Sequence, residues 1–253
     1  MIGPKSNSTR GRAWLFFSRD FLFINMTYEA SVAYGQAGTG LAALALCATE
    51  RILSLRPTQF TVGLREVTVK RRKIEERAIC PATIHNGFPV VLGPAGKVYL
   101  LDRHHYATAF CRMGAKRVRI MVVDDLSHLD PGKFWATLEQ RSWVRPFDRL
   151  GMRRAFDHMP THVLALEDDP FRSLAGALRR LGIFTKTATR YSDFAWADFL
   201  RCHIGSGCVD HDFDAAVDEA VRLVCASAEA KNLPGWCPLS SIPADERRGY
   251  FER

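Results

Sequence analysis

The residues best suited to chemistry form one short run, Asp102-Arg103-His104-His105. A carboxylate and two imidazoles within one helical turn offer a metal ligand, a proton shuttle and a hydrogen-bond donor to phosphate. Successive residues on a helix are rotated by about 100°, so one histidine is expected to face a pocket while the other packs or caps. A structural alternative stays open, in which Asp102 is only a helix cap and one histidine belongs to the core.

The flanking sequence predicts that this run lies where a strand meets a helix. Residues 98–101 have the composition of a strand, and residues 93–96 predict a turn back to an earlier strand at residues 89–92. A helix is expected over residues 103–113, with Asp102 at its N-cap and Gly114 closing it. The start of a helix presents free amides and the positive end of the dipole, which favours an anion.

Five more residues are candidates for the same site, because they lie in segments predicted to neighbour the junction. Glu66 is the candidate general base or metal-binding carboxylate, and an ordinary exposed strand glutamate is the alternative. The side chains expected to contact a substrate or a phosphate are Arg56, Gln59, Arg65 and Lys70. Among these, Lys70 comes from a basic run, Lys70-Arg71-Arg72-Lys73, for which a solvated edge is the plain alternative.

Patterning along the chain predicts an α/β (α+β) fold with a small mixed sheet and a mainly helical C-terminal part. Residues 60–69 and 116–123 predict further strands, and the candidate helices of the second half are residues 131–140, 170–181, 191–202 and 213–231. We therefore divide the chain into an N-terminal extension (1–50), a core (51–128) and a helical region packed on it (129–253). The extension is either poorly ordered or follows from a mis-assigned start.

Other candidate metal ligands have plainer interpretations. The pairs Asp124-Asp125 and Asp168-Asp169 precede Leu and Pro respectively, and such pairs are more often helix or turn caps than metal sites. The group Cys202, His203, Cys208 and His211 has no common zinc-finger spacing. No glycine-rich nucleotide loop of the Walker or Rossmann type is present.

The net charge and the cysteine content limit the classes of partner and the cellular compartment that are expected. A formal net charge of +8 favours phosphates, nucleotides or nucleic acid as partners. Seven cysteines without a regular spacing favour reduced thiols in the cytoplasm. No stretch approaches the roughly 20 apolar residues of a membrane span, so no membrane is expected. Residues 40–48 resemble a weak signal-peptide core, and export remains a less favoured alternative.

Several motifs in a fixed order give the chain a family resemblance. It resembles the ParB/sulfiredoxin superfamily, and more narrowly a subgroup of ParB-like nucleases, over about residues 51–205. The runs that carry the resemblance are Leu55-Arg56-Pro57-Thr58-Gln59, the 93–96 turn, Tyr99-Leu100-Leu101-Asp102-Arg103-His104-His105, Asp168-Asp169-Pro170-Phe171-Arg172-Ser173-Leu174-Ala175-Gly176 and Trp196-Ala197-Asp198-Phe199-Leu200-Arg201.

The resemblance implies a phosphate held at the strand–helix junction, but it implies several activities. ParB proteins bind CTP and DNA, sulfiredoxins use ATP on a sulfinic acid, and a related branch phosphorylates free serine. The absence of cysteine from residues 102–105 counts against sulfinic acid reduction. The serine kinases have Asp-Gly-His-His-Arg, from which this chain departs at Arg103 and Tyr106. Arg103 is expected to supply its own bidentate phosphate contact instead.

The leading hypothesis is therefore a nuclease-like or phosphoryl-transfer protein that binds a nucleotide or a phosphorylated small molecule. Mg²⁺, held by Asp102 and Glu66, and a nucleoside phosphate (ATP, ADP or CTP) are the expected cofactors, with His104 or His105 as acid/base or charge stabiliser. The alternatives are a non-catalytic ParB-type nucleic-acid-binding module, a small-molecule kinase similar to the free-serine kinases, and an interaction domain whose signature has decayed. No helix-turn-helix pattern supports DNA binding.

Overall fold

The computed structural model describes residues 48–238. The predicted N-terminal extension and the signal-like segment 40–48 lie outside the described residues, except that Ala48–Arg51 forms the first strand. Within residues 48–238, no helix combines the length and the apolar character needed to cross a bilayer.

A mixed five-stranded sheet forms the framework. Its strands, in spatial order, are β1 (Ala48–Arg51), β6 (Arg117–Asp125), β4 (Phe88–Gly93), β5 (Lys97–Leu100) and β2 (Leu55–Pro57). The β1–β6 and β4–β5 pairs are antiparallel, whereas β4–β6 and β2–β5 are parallel. Two short strands, β3 (Thr61–Val62) and β7 (Glu167–Asp168), pair in parallel outside this sheet. The predicted α/β class with a small mixed sheet is confirmed.

Seven α-helices are present in the described part of the chain. They are α1 (Leu64–Glu76), α2 (His104–Arg112), α3 (Pro131–Gln140), α4 (Pro170–Arg180), α5 (Ser192–His203), α6 (Ser206–His211) and α7 (Phe213–Ala226). Short 3-10 helices lie at Ile52–Ser54, Pro94–Gly96, Phe156–His158, Val163–Ala165 and Ala230–Asn232.

The sheet is covered on both faces, because side chains alternate between the faces along each strand. Leu55, Val90 and Leu100 are fully buried in a core shared with α1 and α2. Tyr99, next to Leu100, points to the opposite face, and its ring centroid lies 4.6 Å from that of Phe134 on α3. The sheet therefore separates the helices α1 and α2 from α3.

A second core forms among the helices of the C-terminal half. Leu174 and Leu178 of α4 are fully buried there, on the apolar stripe that the sequence predicts. The Trp196 ring stacks on Phe184 at 4.5 Å, and its indole N–H donates to the carbonyl oxygen of Pro234. This core fixes the position of α4, which carries several charged residues of the candidate site.

The predicted strand over residues 60–69 is wrong beyond its first part. Only Thr61–Val62 is extended, and the chain then enters α1 at Leu64. The Leu64 N–H donates to Oδ1 of Asp168 at 2.8 Å, so a carboxylate from a distant segment caps this helix. Val67 and Ile74 lie on one buried face of it, and this packing overrides the β-propensity of the local valines.

Most other predicted elements are confirmed, with shifts of a few residues at their ends. The turn over residues 93–96 forms with Ala95 and Gly96 at positive φ, and Gly114 has φ +86° directly after α2. The last predicted helix is too long, because α7 ends at Ala226 and not at residue 231. The division at residue 128 stays a prediction. Beyond it, Val163 and Leu166 pack in the first core.

Gly63 allows α4 to approach the start of α1, so a substitution there tests this packing. A Cβ on Gly63 would lie 2.6 Å from Ser173 Oγ and 2.7 Å from the Ser173 backbone nitrogen. We expect Gly63→Ala to lower the free energy of unfolding, measured by chemical denaturation, by about 1–3 kcal/mol. In the control, Gly132→Ala, the added methyl meets no atom closer than 3.4 Å. Equal stability of Gly63→Ala and the wild type would contradict the close approach.

Candidate functional site

The run of residues 102–105 lies at the junction of β5 and α2, as predicted, but its capping differs. Arg103 occupies the N-cap position in the left-handed region (φ +65°), and its N–H donates to Asp102 Oδ1 at 2.6 Å. The prediction that Asp102 is the N-cap is therefore wrong, because the left-handed residue moves the helix start to His104. A left-handed arginine costs about 1 kcal/mol or more relative to glycine.

The Arg103 side chain contacts the segment before β4. Its Nη1 donates to the carbonyl oxygen of His85 at 2.8 Å. This bond directs one donor of the guanidinium to the protein backbone. The predicted bidentate contact of Arg103 with a phosphate stays a prediction.

His104 is buried and accepts a hydrogen bond from the backbone. The Thr58 N–H donates to His104 Nε2 at 3.3 Å, so the proton of the neutral ring lies on Nδ1. Burial lowers the pKa of His104 to about 4, because Asp102 only partly offsets the cost of a buried imidazolium. At neutral pH His104 is thus an uncharged acceptor for the β2–α1 connection.

His105 makes the equivalent bond at the other end of the same connection. The Gly63 N–H donates to His105 Nε2 at 3.2 Å. Burial, followed by the charges of Arg172 and Lys70, holds the pKa of His105 well below its ordinary value. The sequence predicted that one histidine faces a pocket, but both use Nε2 to hold the segment between β2 and α1.

Glu66 lies in a helix and is part of an ion-pair cluster. Its buried carboxylate pairs with Arg180 and lies 3.9 Å from Arg179 Nη2. A Cβ on Gly176 would lie 2.3 Å from Glu66 Cδ, so the missing side chain of α4 makes space for the carboxylate. This placement gives no support to Glu66 as a general base, because its carboxylate oxygens face the guanidinium groups of Arg179 and Arg180.

Arg179 joins α4 to two other helices. Its Nη1 donates to both carboxylate oxygens of Asp193 on α5, at 2.6 and 2.5 Å. Through its Nη2 it also approaches Glu66 on α1. The carboxylates of Glu66 and Asp193 are therefore already paired with arginines, and neither forms an ion pair with the nearby Lys70.

Lys70 is a half-buried cation on α1 that forms no ion pair within residues 48–238. Its Nζ lies 5.2 Å from the centroid of the Tyr106 ring on α2. Burial, followed by the charge of Arg179, lowers the pKa of Lys70 to about 8, and Glu66 only partly opposes them. An anion close to this ammonium would stabilise its charged form.

Arg172 is the most deeply buried cation of the region. It is 5% exposed, and its Nε and Nη1 have no hydrogen-bond partner among the described residues. The guanidinium lies 3.4 Å from the centroid of the Phe194 ring. Burial lowers the pKa of Arg172 to about 10, with Asp193 and Asp169 opposing. Its charge acts on both histidines and favours their neutral forms.

The other predicted site residues are separated by the structure. Gln59 is buried and donates from Nε2 to the carbonyl oxygen of Thr61. Arg65 is exposed, with its guanidinium 4.2 Å from the centroid of the Phe213 ring. Arg56 lies on the α3 face of the sheet, beside Tyr99. The structure therefore groups Lys70 with residues 102–105, but places Arg56 and Arg65 elsewhere.

Metal binding finds limited support among the described residues. Residues 48–238 contain no group of three His, Cys, Asp or Glu that could hold a metal ion. The Asp168-Asp169 pair caps α1 and α4, which confirms the capping interpretation. Asp124 pairs with Arg141, and Asp125 accepts from the Ser127 N–H. Glu66, paired with arginines, does not fit as an Mg²⁺ ligand.

The charged residues that the helical half contributes to the site were not predicted from the sequence. Arg172, Arg179 and Asp193 lie far along the chain from residues 102–105, and helical periodicity does not show which partner a charged residue meets. One signal was available, since Arg172 lies in the Asp168–Gly176 run that carries the family resemblance. No comparable signal identified Arg179.

Comparison with known proteins finds a matching family and similar solved structures. Residues 48–202 match the model of the family described as "Putative ParB-like nuclease". The chain is also similar to the crystal structure of protein Atu1540 from Agrobacterium tumefaciens, with a TM-score of 0.70 and 42% sequence identity. That similarity covers 76% of this chain and 97% of the other. No curated protein matches the sequence.

The neutral state of His104 predicts a loss of stability in acid. The unfolded chain takes up the proton near pH 6.5 and the folded chain only near pH 4, so the unfolded state binds more protons between these values. Acidification through this window should cost about 3 kcal/mol through His104 alone. In denaturation series from pH 7 to 4, His104→Gln should lose less stability than the wild type, whereas the exposed control His158→Gln should not. Parallel losses in all three proteins would contradict this prediction.

The ion pairs of Glu66 predict a structural cost when its charge is removed. Glu66→Gln keeps the shape of the side chain but leaves Arg180 without its buried carboxylate. We expect the free energy of unfolding to fall by about 3 kcal/mol. The control Glu75→Gln breaks an exposed pair with Arg71 and should cost less than about 1 kcal/mol. A Glu66→Gln protein as stable as the wild type would show that the pairs contribute nothing.

Proposed function

The chain belongs to the ParB-like nuclease family, and we propose that it binds a nucleoside phosphate or another phosphorylated small molecule beside the β5–α2 junction. The observation that carries the proposal is the half-buried Lys70 ammonium, which lies over Tyr106 without an ion pair in residues 48–238. A phosphate is the anion that both the family and the charge of this region favour.

The charge balance around Lys70 supports an anionic ligand. Glu66 and Asp193, the nearby carboxylates, already pair with Arg180 and Arg179. Burial, followed by the charge of Arg179, lowers the pKa of Lys70 and so makes its ammonium form less favourable. Two opposite unit charges 4 Å apart attract by about 4 kcal/mol near a protein surface but by only about 1 kcal/mol in bulk water. A phosphate therefore gains more electrostatic energy beside the half-buried Lys70 than beside a fully exposed lysine.

The histidines support the site by organising its backbone. Both are uncharged at neutral pH, and both Nε2 atoms accept from backbone N–H groups. They therefore do not serve as the positive charges that hold a phosphate. Asp102 is the half-buried carboxylate that remains at the junction, and it is our candidate for proton transfer in a phosphoryl-transfer reaction, whether the acceptor is water or a small-molecule hydroxyl.

Nucleic-acid binding is a second candidate function, favoured by a basic surface on α1. Arg71 and Arg72 are exposed on this helix, and Arg77 is exposed directly after its last residue. Arg71, however, pairs with Glu75 at 3.2 Å, which reduces the free positive charge of the surface. Binding to this surface would depend steeply on salt and would weaken in Arg72→Met, and these two features separate it from a nucleotide site at Lys70.

Calorimetric titration with ATP, ADP and CTP, each with Mg²⁺, tests the proposal. We expect one nucleotide to bind the wild type saturably and Lys70→Met to bind it at least about tenfold more weakly. Methionine keeps the aliphatic contact with Tyr106 but removes the charge. The matched control Arg72→Met removes an exposed charge from the same helix and should bind like the wild type.

A pH series sharpens the same experiment. Lys70 is protonated below its pKa of about 8, so nucleotide affinity should be constant from pH 7 to 7.5 and should fall above pH 8. Starting above pH 7 keeps the phosphate charge nearly fixed. Lys70→Met should lack this fall. Failure of all three nucleotides to bind would overturn a nucleoside phosphate as the ligand, and equal binding by Lys70→Met and the wild type would overturn the site at Lys70.

A further inference from the structure

A concave site lies on the α3 face of the sheet, away from α2 and the β5–α2 junction. This pocket has a volume of about 220 Å³ and lies between β5, α3 and residues 156–161. Four aromatic side chains contribute to its wall, namely Tyr99, Phe134, Trp135 and Phe156. We call it the aromatic pocket.

The strand register explains how the pocket forms. Arg56 and Tyr99 are register partners on β2 and β5, so their side chains point to the same face of the sheet. Gly93 on β4 is opposite Lys97. A Cβ on Gly93 would lie 2.5 Å from the Tyr99 ring and 2.9 Å from that of Phe134. The absence of a side chain there allows both rings to approach the backbone of β4 closely.

The rings are fixed by contacts with one another. Trp135 stacks on Phe156 with centroids 4.9 Å apart and planes 5° apart. The Tyr99 and Trp135 rings meet edge to face, with their centroids 5.3 Å apart and their planes 84° apart. Such a wall is preformed for a planar ligand, because aromatic rings prefer offset-stacked or edge-to-face neighbours.

Two cations lie at the rim of this wall. Arg56 is half-buried and Lys97 is exposed, and neither forms an ion pair within the described chain. Arg56 is close enough to Tyr99 to oppose the effect of burial, which raises the pKa of the tyrosine. Asp157 also lines the pocket, but it is exposed and lies beside His158. Arg56 therefore has guanidinium donors available beside an aromatic wall.

We propose that the aromatic pocket binds a small carboxylate that carries one or two aromatic rings. The ring system would pack against Trp135 and Tyr99, and Arg56 would hold the carboxylate through paired N–H donors, with Lys97 adding charge. The volume is below the range of roughly 300–1,000 Å³ typical of pockets for drug-sized ligands. This size favours a small aromatic acid.

This site is independent of the proposed nucleotide site. The sheet separates the two, and among the residues that line the pocket only Arg56 was expected from the sequence to contact a phosphorylated ligand. Its position beside Tyr99 places Arg56 where it would contact the aromatic carboxylate and not the nucleotide. Failure of nucleotide binding at Lys70 therefore leaves the aromatic pocket untouched, and the reverse also holds.

Three related probes test the chemistry of the pocket by calorimetry. Naphthalene-2-carboxylate has both the rings and the charge, 2-naphthol has only the rings, and cyclohexanecarboxylate has only the charge. We expect naphthalene-2-carboxylate to bind with a Kd of about 1 mM or tighter, and each of the others to bind at least about tenfold more weakly. The variant Arg56→Met/Lys97→Met should reduce naphthalene-2-carboxylate binding by at least about tenfold.

The control variants locate the site. Arg72→Met and Lys70→Met, both on α1, should bind naphthalene-2-carboxylate like the wild type, and thermal melting should show that every variant is folded. Addition of ATP with Mg²⁺ should leave the Kd unchanged. The proposal is overturned if no saturable binding occurs, if the three probes bind equally, if Arg56→Met/Lys97→Met binds like the wild type, or if ATP competes with the carboxylate.

Discussion

The structure of the candidate site depends on two hydrogen bonds from the backbone to imidazole rings. Thr58 and Gly63 donate their N–H groups to Nε2 of His104 and His105. These bonds fix both ends of the segment between β2 and α1, and so place α1 against α2. They also require uncharged histidines, which burial ensures through the lowered pKa values. Protonation of either ring would place an N–H where the backbone already donates.

The same requirement explains the charges that surround the pair. Arg172 and Lys70 act on the imidazoles and disfavour their protonation. The carboxylates Glu66 and Asp193 are matched with Arg179 and Arg180, so they stabilise the helices without neutralising Lys70. The protein therefore keeps a half-buried ammonium beside the β5–α2 junction at the cost of a lowered pKa. Sites that accept such a cost are commonly functional, and this is the basis of the proposed phosphate site.

Local sequence signals predicted the local structure well. The turn at residues 93–96 has glycine and proline for its backbone angles, and the Asp168-Asp169 pair before Pro170 predicts a cap; both are confirmed. Glu66 was placed in a strand because β-branched neighbours suggested one, whereas burial of Val67 and Ile74 decides for a helix. Arg172 and Arg179 could not be assigned to the site, because their position depends on the second core, which orients α4 only in the folded chain. The aromatic pocket likewise depends on strand register, which no local pattern gives.

The most direct test of this account is an NMR titration of the imidazole nitrogens in uniformly ¹⁵N-labelled protein. Hydrogen-bond acceptance at Nε2 predicts that His104 and His105 remain in the neutral form with the proton on Nδ1 throughout the range from pH 7.5 down to about pH 5.5, well above the His104 pKa of about 4. The exposed His158 in the same sample provides the reference for an accessible histidine. A proton on Nε2, or an imidazolium signal from either ring within that range, would contradict the account, because the backbone of Thr58 or Gly63 would then have no acceptor there.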